Sequence, residues 1–480
     1  LCDYLVRTLT SDQMPSLGST TEERTNRLKR GGLTIKTLID PKAQQAAEEA
    51  VAKTVGPTDP VWGGTVLIQP GTGLITAMAQ SRTKLGSGEG ETWQNVNVST
   101  QYGGIEGFQP GSTFKPFVIG AALEQGVPTS TSFESKSRMQ FRGYKFKNCE
   151  GPFTYTGDYD PKNYDGDHGN INMLEATQKS VNTYFIQLEA KVGICASIDT
   201  AQKLGVKLAD GDDMRKMAEY PSWVLGVAEV TPLSMAEAYA TFANRGVHCN
   251  PIILQSVQTK DGTEVEIPSA DCKQVISPEV ADGVNHVLST VMTQGTGIPA
   301  RLPDGRPQAG KTGTTNDTQS VWFAGYTPDM AGVAYIAADV TSSRFKGKDV
   351  KSIDGLRMST GKVLQGSGGQ DAGTIWKSAM SAALKDIPAS NFQEPNKRIL
   401  EGEKVPVPNV TGMTEEQARQ ALEAEGFSVG RLEQFSPQPA GTYLGKVFPS
   451  SRAAKYSTVQ LVYSKGPIPT NTPTVAPGQP

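Results

Sequence analysis

Histidine is almost missing from this chain: His168, His248 and His286 are the only three in 480 residues, and the five cysteines form no Cys-x-x-Cys pair. Zinc sites are built from clustered His and Cys, so no metal is expected, and no other motif asks for a cofactor. Charge of one sign is lacking too. Against 49 Asp and Glu stand 46 Lys and Arg, a net charge of −3, which leaves no electrostatic case for nucleic acid. Long apolar runs are absent. The longest, around Ala331–Ala338, suits a buried strand, whereas a membrane span needs about 20 residues. No secretory signal opens the chain. It starts abruptly at "LCDYLVRTL" and reads as a piece of a longer protein.

What is present organises the chain into two or three domains, as its length suggests. Residues 1–32 are polar and lack apolar periodicity, a linker or domain tail. "GLTIKTLIDPKAQQAAEEAVAKTV" reads as a strand, an Asp-Pro helix start and an Ala-rich helix. "GGTVLIQPGTGLITAMA" reads as a hairpin about a Pro-Gly-Thr-Gly turn. Helical patterns follow in "INMLEATQKSVNTYFIQLEAKVG", "PLSMAEAYATFANRG" and "SPEVADGVNHVLSTVMTQG". Three strand-like runs, "GRPQAGKTGTT", "SVWFAGYTP" and "MAGVAYIAADV", precede a last helix, "GTIWKSAMSAALKDI". Strands bracketed by helices imply a mixed α/β (α+β) domain, a sheet between helical layers. After a linker at 389–401, a capping-box match at Thr414-Glu-Glu-Gln417 opens a small strand–helix–strand–strand module. Residues 467–480 form a Pro/Thr-rich tail, disordered or a stalk.

Cys249 and Cys272 flank a hairpin pattern, "PIILQSVQTKDGTEVEI", whose turn is Asp261-Gly262. A hairpin returns its ends to one place, so this pair can bridge; Cys149 and Cys195 flank another unit and offer a second bridge. The alternative is separate buried thiols. Disulfides would imply an oxidising compartment.

The chemistry-bearing stretch is Gln109-Pro-Gly-Ser-Thr-Phe-Lys-Pro-Phe117 at the head of an apolar helix. Ser112 and Lys115, three apart, share one helix face, and Pro116 is tolerated in a first turn. Alone the pattern says little. Ser caps many helices, and Ser343-Arg-Phe-Lys346 also matches Ser-x-x-Lys but reads as a loop. Two more short motifs follow in order: Ser180-Val-Asn182 on a helical pattern and Lys311-Thr-Gly-Thr314 on the first of the three strands.

Ser-x-x-Lys, Ser-x-Asn and Lys-Thr-Gly together resemble the motif set of penicillin-binding proteins and serine β-lactamases. The surrounding text, "LGVAEVTPLSMAEAYATFANRG" and "AGKTGTTNDTQSVWFAGYTP" included, is similar to the transpeptidase domain of a class A, bifunctional penicillin-binding protein. The resemblance covers residues 33–388 and implies that family's β-lactamase-like fold, an antiparallel sheet between helices. Residues 1–32 resemble the end of the family's glycosyltransferase domain, whose catalytic Glu motifs are missing here, so glycosyltransferase activity is not expected. Residues 402–466 resemble a PASTA domain of the actinobacterial type of enzyme. A Ser where the pattern has Gly after Pro449 sets a spacer role beside peptidoglycan binding.

The resemblance implies a serine D,D-transpeptidase that cross-links peptidoglycan stem peptides ending in D-Ala-D-Ala and is acylated by β-lactams. Ser112 would be the nucleophile, Lys115 its base when neutral, Ser180 a proton relay, and Asn182 an orienting amide. Lys311 would complete the catalytic set, and Thr312, Gly313 and Thr314 would bind the substrate, its carboxylate at Lys311, Thr312 and Thr314. Backbone N–H groups of Ser112 and Thr314 would form the oxyanion hole. The setting would be the extracytoplasmic face of the membrane, reached through an N-terminal anchor missing from this chain, among cell-division or elongation proteins. Three alternatives remain. A D,D-carboxypeptidase would use water as acceptor, and a receptor would bind β-lactam or wall without turnover. A class A β-lactamase would need a Glu-x-x-Leu-Asn motif that the chain lacks.

Overall fold

The computed structural model describes residues 1–349 and 351–468; most of the Pro/Thr-rich tail expected at 467–480 lies outside the described residues. The chain divides into two compact units. One comprises Leu1–Gln125 and Ser132–Asn396; the other comprises Gly126–Thr131 and the chain from Lys397 onward.

The larger unit is built on five antiparallel strands: β1 (Val61–Gln69), β2 (Leu74–Gln80), β3 (Ala309–Thr314), β4 (Ser320–Tyr326) and β5 (Ala331–Ala338). Their order is β3-β4-β5-β1-β2, so the motif strand β3 lies at an edge and pairs with β4, Lys311 opposite Ala324. β5 is buried along its whole length and β1 at all but its last residue. Such strands carry near-continuous apolar runs because both faces are covered.

The cover comes from helices on each side. α1 (Pro41–Ala52) is capped by Asp40, whose carboxylate accepts from the N–H of Lys42 and Ala43. It shares one apolar cluster with α6 (Gly373–Ala383): Ala43, Ala47 and Ala50 meet Ile375, Trp376 and Ala379 against Val321 and Phe323 of β4. The Trp376 indole N–H donates to Gly325 O and Gly332 O at 3.1 and 3.0 Å. A Cβ on Gly325 would stand 2.9 Å from that ring, so glycine is what lets the indole reach two strands. Tyr326, whose side chain leaves β4 on the other face by the pleat, donates to Asn285 Oδ1 at 2.6 Å and packs on Tyr239. Asn285 and Tyr239 belong to two of the helices of the opposite layer, which comprises α2 (Lys115–Glu124), α3 (Asn182–Val192), α4 (Pro232–Ala243) and α5 (Pro278–Gln294). All twelve residues of α4 are buried.

The two bridges that the cysteine positions allow are both formed: Cys149–Cys195 and Cys249–Cys272, with Cα atoms 5.0 and 4.1 Å apart. Cys2 is free and exposed. Two local expectations change. Residues 1–32 hold helices at Cys2–Thr10 and Thr21–Arg30. The second has caps that its polarity hides: Thr20 accepts from Glu23 N–H, and Arg24 is buried, bonded to Thr10 O and Gly18 O. The helical run around residue 180 is also broken, between Met173–Gln178 and α3.

In the smaller unit Thr414 and Gln417 close the expected capping box on a helix at Glu415–Ala424. That helix packs on a sheet in which Ser428–Gln434 runs parallel and Tyr443–Phe448 antiparallel to Thr458–Ser464. Ala418, Leu422, Val459 and Leu461 form its core. A strand pair not foreseen from the sequence joins Lys404–Pro406 to Arg452–Ala454.

Candidate active site

Ser112 lies in a single 3-10 turn, Gly111–Phe114, that runs directly into α2. Lys115 is the first residue of that helix and Pro116 the second, where a missing N–H costs nothing. The turn is held from two sides: Tyr239 donates to Thr113 O at 2.9 Å and Ser320 donates to Gln109 O at 2.7 Å. Phe114 packs against Trp223, ring centroids 5.0 Å apart.

Glycines bring the edge strand against this turn. A Cβ on Gly111, whose φ is 59°, would lie 2.7–2.9 Å from the backbone of Thr314. One on Gly313 would lie 2.2 Å from Pro110 O, and one on Gly226 would lie 2.1 Å from Gly111 O. Backbone therefore touches backbone on both sides of Ser112, an approach that only glycine permits. The amide of Thr314 and the start of the serine helix become neighbours.

Under this contact two lysines converge on one hydroxyl. Lys115 Nζ donates to Ser180 O at 2.6 Å, Asn182 Oδ1 at 2.7 Å and Ser180 Oγ at 3.2 Å. Lys311 Nζ donates to the same Ser180 Oγ at 2.7 Å and to Thr312 O at 3.1 Å. Ser180 has φ 58°, a left-handed backbone that costs a non-glycine residue roughly 1–2 kcal/mol; it ends one helix and aims its hydroxyl between the two amines before α3 begins. Asn182, first residue of α3, spends its amide N–H on Lys162 O at 2.9 Å, which leaves its oxygen for Lys115.

Both lysines are fully buried. Burial drives Lys115 well below the usual lysine range, the charge of Lys311 pushes it further down, and Asp165 opposes the shift. Burial alone lowers Lys311 to about 7. A lysine whose hold on its proton is weakened in this way can serve as a base.

The structure thus unites Lys115, Ser180, Asn182 and Lys311 in one network at the foot of the Ser112 turn. The Ser112 hydroxyl, half-buried, makes no hydrogen bond among the described residues. The three-residue spacing places it on the helix face of Lys115, but the hydrogen bonds of Lys115 go to Ser180 and Asn182. Thr312 shares a 2.7 Å hydrogen bond with Thr296, and half-buried Thr314 ends the strand. Ser343, the other Ser-x-x-Lys serine named above, lies in turns beyond β5, away from the three-motif network. Sequence reasoning missed Gly226, Thr296, Lys162 and Asp165. Each meets the site across a long stretch of chain, and none carries a local motif.

Known proteins share this architecture. The profile of the penicillin-binding protein transpeptidase domain matches residues 63–353, and that of the PASTA domain matches 405–465. The chain is 30% identical over 386 residues to penicillin-binding protein 1A of Mycobacterium tuberculosis (strain ATCC 25618 / H37Rv), covering 77% of this chain and 42% of that protein. To penicillin-binding protein 1A of Aquifex aeolicus (strain VF5) it is 32% identical over 294 residues, 61% of this chain and 35% of that protein. The chain therefore spans about two fifths or less of these relatives' length. The structure of PonA1 from Mycobacterium tuberculosis superposes with TM-score 0.63 at 26% identity, covering 82% of this chain and 95% of that one. The same protein in complex with penicillin V gives TM-score 0.61 at 26% identity, with 82% and 96% covered.

Proposed function

The chain belongs to the transpeptidase family of penicillin-binding proteins, and we propose that it is a serine D,D-transpeptidase acting on peptidoglycan stem peptides that end in D-Ala-D-Ala. The observation that carries this reading is the buried Lys115–Ser180–Lys311 hydrogen-bond chain beside a serine at a helix start. A serine hydroxyl needs an adjacent base, and Lys115, desolvated and repelled by Lys311, supplies one. In this mechanism Ser112 Oγ attacks the penultimate D-Ala carbonyl and its proton passes to the Lys115 amine. The oxyanion is held by the N–H groups of Ser112 and Thr314. Collapse breaks the C–N bond, and Ser180 relays the proton to the departing D-Ala amine. The substrate carboxylate lies on Lys311 and the hydroxyls of Thr312 and Thr314, with Gly313 allowing close approach. An acceptor amine then takes the acyl group and Ser112 recovers its proton.

A β-lactam acylates Ser112 by the same attack; its leaving nitrogen stays tethered and the ester persists. Two disulfides suit an oxidising space, in keeping with work at the extracytoplasmic face of a membrane beside division or elongation proteins. Among the described residues no helix is long and apolar enough to cross a membrane. Intact-mass spectrometry after benzylpenicillin should show one covalent adduct, lost in Ser112→Ala. An adduct surviving in Ser112→Ala, or rapid release of hydrolysed penicillin, would refute the reading.

A further inference from the structure

The site as built favours anions. Lys311, the residue given the substrate carboxylate above, and the N-terminus of α2 both attract a carboxylate, yet a transpeptidase acceptor arrives as an ammonium ion, the ordinary state of a free amine near neutrality. Some group must offset that field on the solvent side.

The loop Lys162–His168 borders the site at Asn182. Lys162 O accepts from Asn182. Buried Asn163 accepts from Thr183 N–H at 3.0 Å and donates to Lys136 O and Gly166 O at 2.9 and 3.2 Å, so the loop is pinned to the first turn of α3, one residue from the Lys115 partner. Between its pins the loop faces water: Tyr164 is 98% exposed. Asp165 follows, its side chain 47% exposed and its Oδ1 2.8 Å from His168 Nε2. Like Asp165, the neighbouring carboxylates each have a partner: Asp160 has Arg138, Asp158 has Gln140 and Asp167 has the Ser137 N–H. Asp165 is the loop carboxylate whose field reaches Lys115.

We propose that Asp165 is the acceptor-specificity residue: it binds the incoming ammonium group at the rim and so favours an amine over water as the group that takes the acyl chain. This rests on the transpeptidase reading above. The bound ammonium releases one proton to solvent. The amine then forms the N–C bond as the Ser112 Oγ–C bond breaks, and its second proton returns to the Ser112 oxygen.

The test is the partition of the acyl-enzyme, a ratio set after acylation. With the whole chain, a D-alanyl thioester donor and an added D-amino acid acceptor, aminolysis and hydrolysis products are counted together. Asp165→Asn should lower the aminolysis-to-hydrolysis ratio about three- to fivefold, the scale of a half-exposed ion pair. Asp165→Glu should restore most of it, and salt should lower the wild-type ratio towards that of Asp165→Asn. An unchanged ratio in Asp165→Asn, or an equal loss in Asp165→Glu, would overturn the proposal. Absence of any Ser112 acyl-enzyme in the wild type would instead refute the transpeptidase reading.

Discussion

Gly111→Ala tests how the site is assembled. At φ 59° an alanine adopts the left-handed region at a cost of roughly 1–2 kcal/mol. Its methyl would also stand 2.7, 2.8 and 2.9 Å from Thr314 O, C and N. Those are backbone atoms that cannot rotate away, so the strand must retreat by several tenths of an ångström, with an overpacking cost of about 1–3 kcal/mol. The sum is a loss of about 2–5 kcal/mol from the two terms. The retreat also separates the Ser112 and Thr314 amides, and losing one oxyanion donor costs about a hundredfold or more in rate. Gly143→Ala is the control: its φ is 87° but nothing lies within 4 Å of the added methyl, so it should lose only the backbone share, about 1–2 kcal/mol. Guanidinium denaturation and the rate of benzylpenicillin acylation by intact mass read both effects. If Gly111→Ala matches Gly143→Ala in stability and acylates at the wild-type rate, the close backbone approach does not organise the site.

Lys115→Met should slow penicillin acylation by about 10²–10⁴-fold, the range for a lost general base, and a change under tenfold would exclude Lys115 as the base. Because the neutral amine is the active form, acylation should rise with pH. Lys311→Met removes a like charge and should move that rise to higher pH; stopped-flow pH profiles of the two proteins decide it. Cys149→Ser should cost about 4 kcal/mol and Cys249→Ser about 3 kcal/mol by loop-closure entropy for separations of 46 and 23 residues; equal stability after full reduction would refute this. Glu189 is fully buried with neither carboxylate oxygen hydrogen-bonded. Burial raises it well above the carboxylate range. Folding therefore favours its neutral acid form, and the stability it lends below the ordinary glutamate value is lost as pH rises. Glu189→Gln should gain on the wild type with rising pH in denaturation midpoints; a constant difference from pH 4 to 8 would contradict it.

Much was legible in the sequence because the signals were local. The Asp40-Pro41 helix start, the hairpin of β1 and β2, the three strands β3–β5 and the Thr414 capping box depend on neighbours within a few residues, and all stand where the pattern placed them. Apolar periodicity also marked the covered sheet, since strands buried on both faces need continuous apolar runs. Three short motifs named Ser112, Lys115, Ser180, Asn182 and Lys311. Tertiary structure alone decided how they meet. Ser180 bonds to both lysines, one 65 and the other 131 residues away, and no local pattern encodes a contact across such a stretch. The bend at Ser180 broke a pattern that reads as helix, because the hydrogen bonds that hold it there come from other elements. Gly226 looks like any turn glycine until Gly111 is set against it. The depressed proton affinity of the lysines belongs to the fold as well, since the desolvation of both and the repulsion of Lys115 by Lys311 exist only once the chain has closed around them.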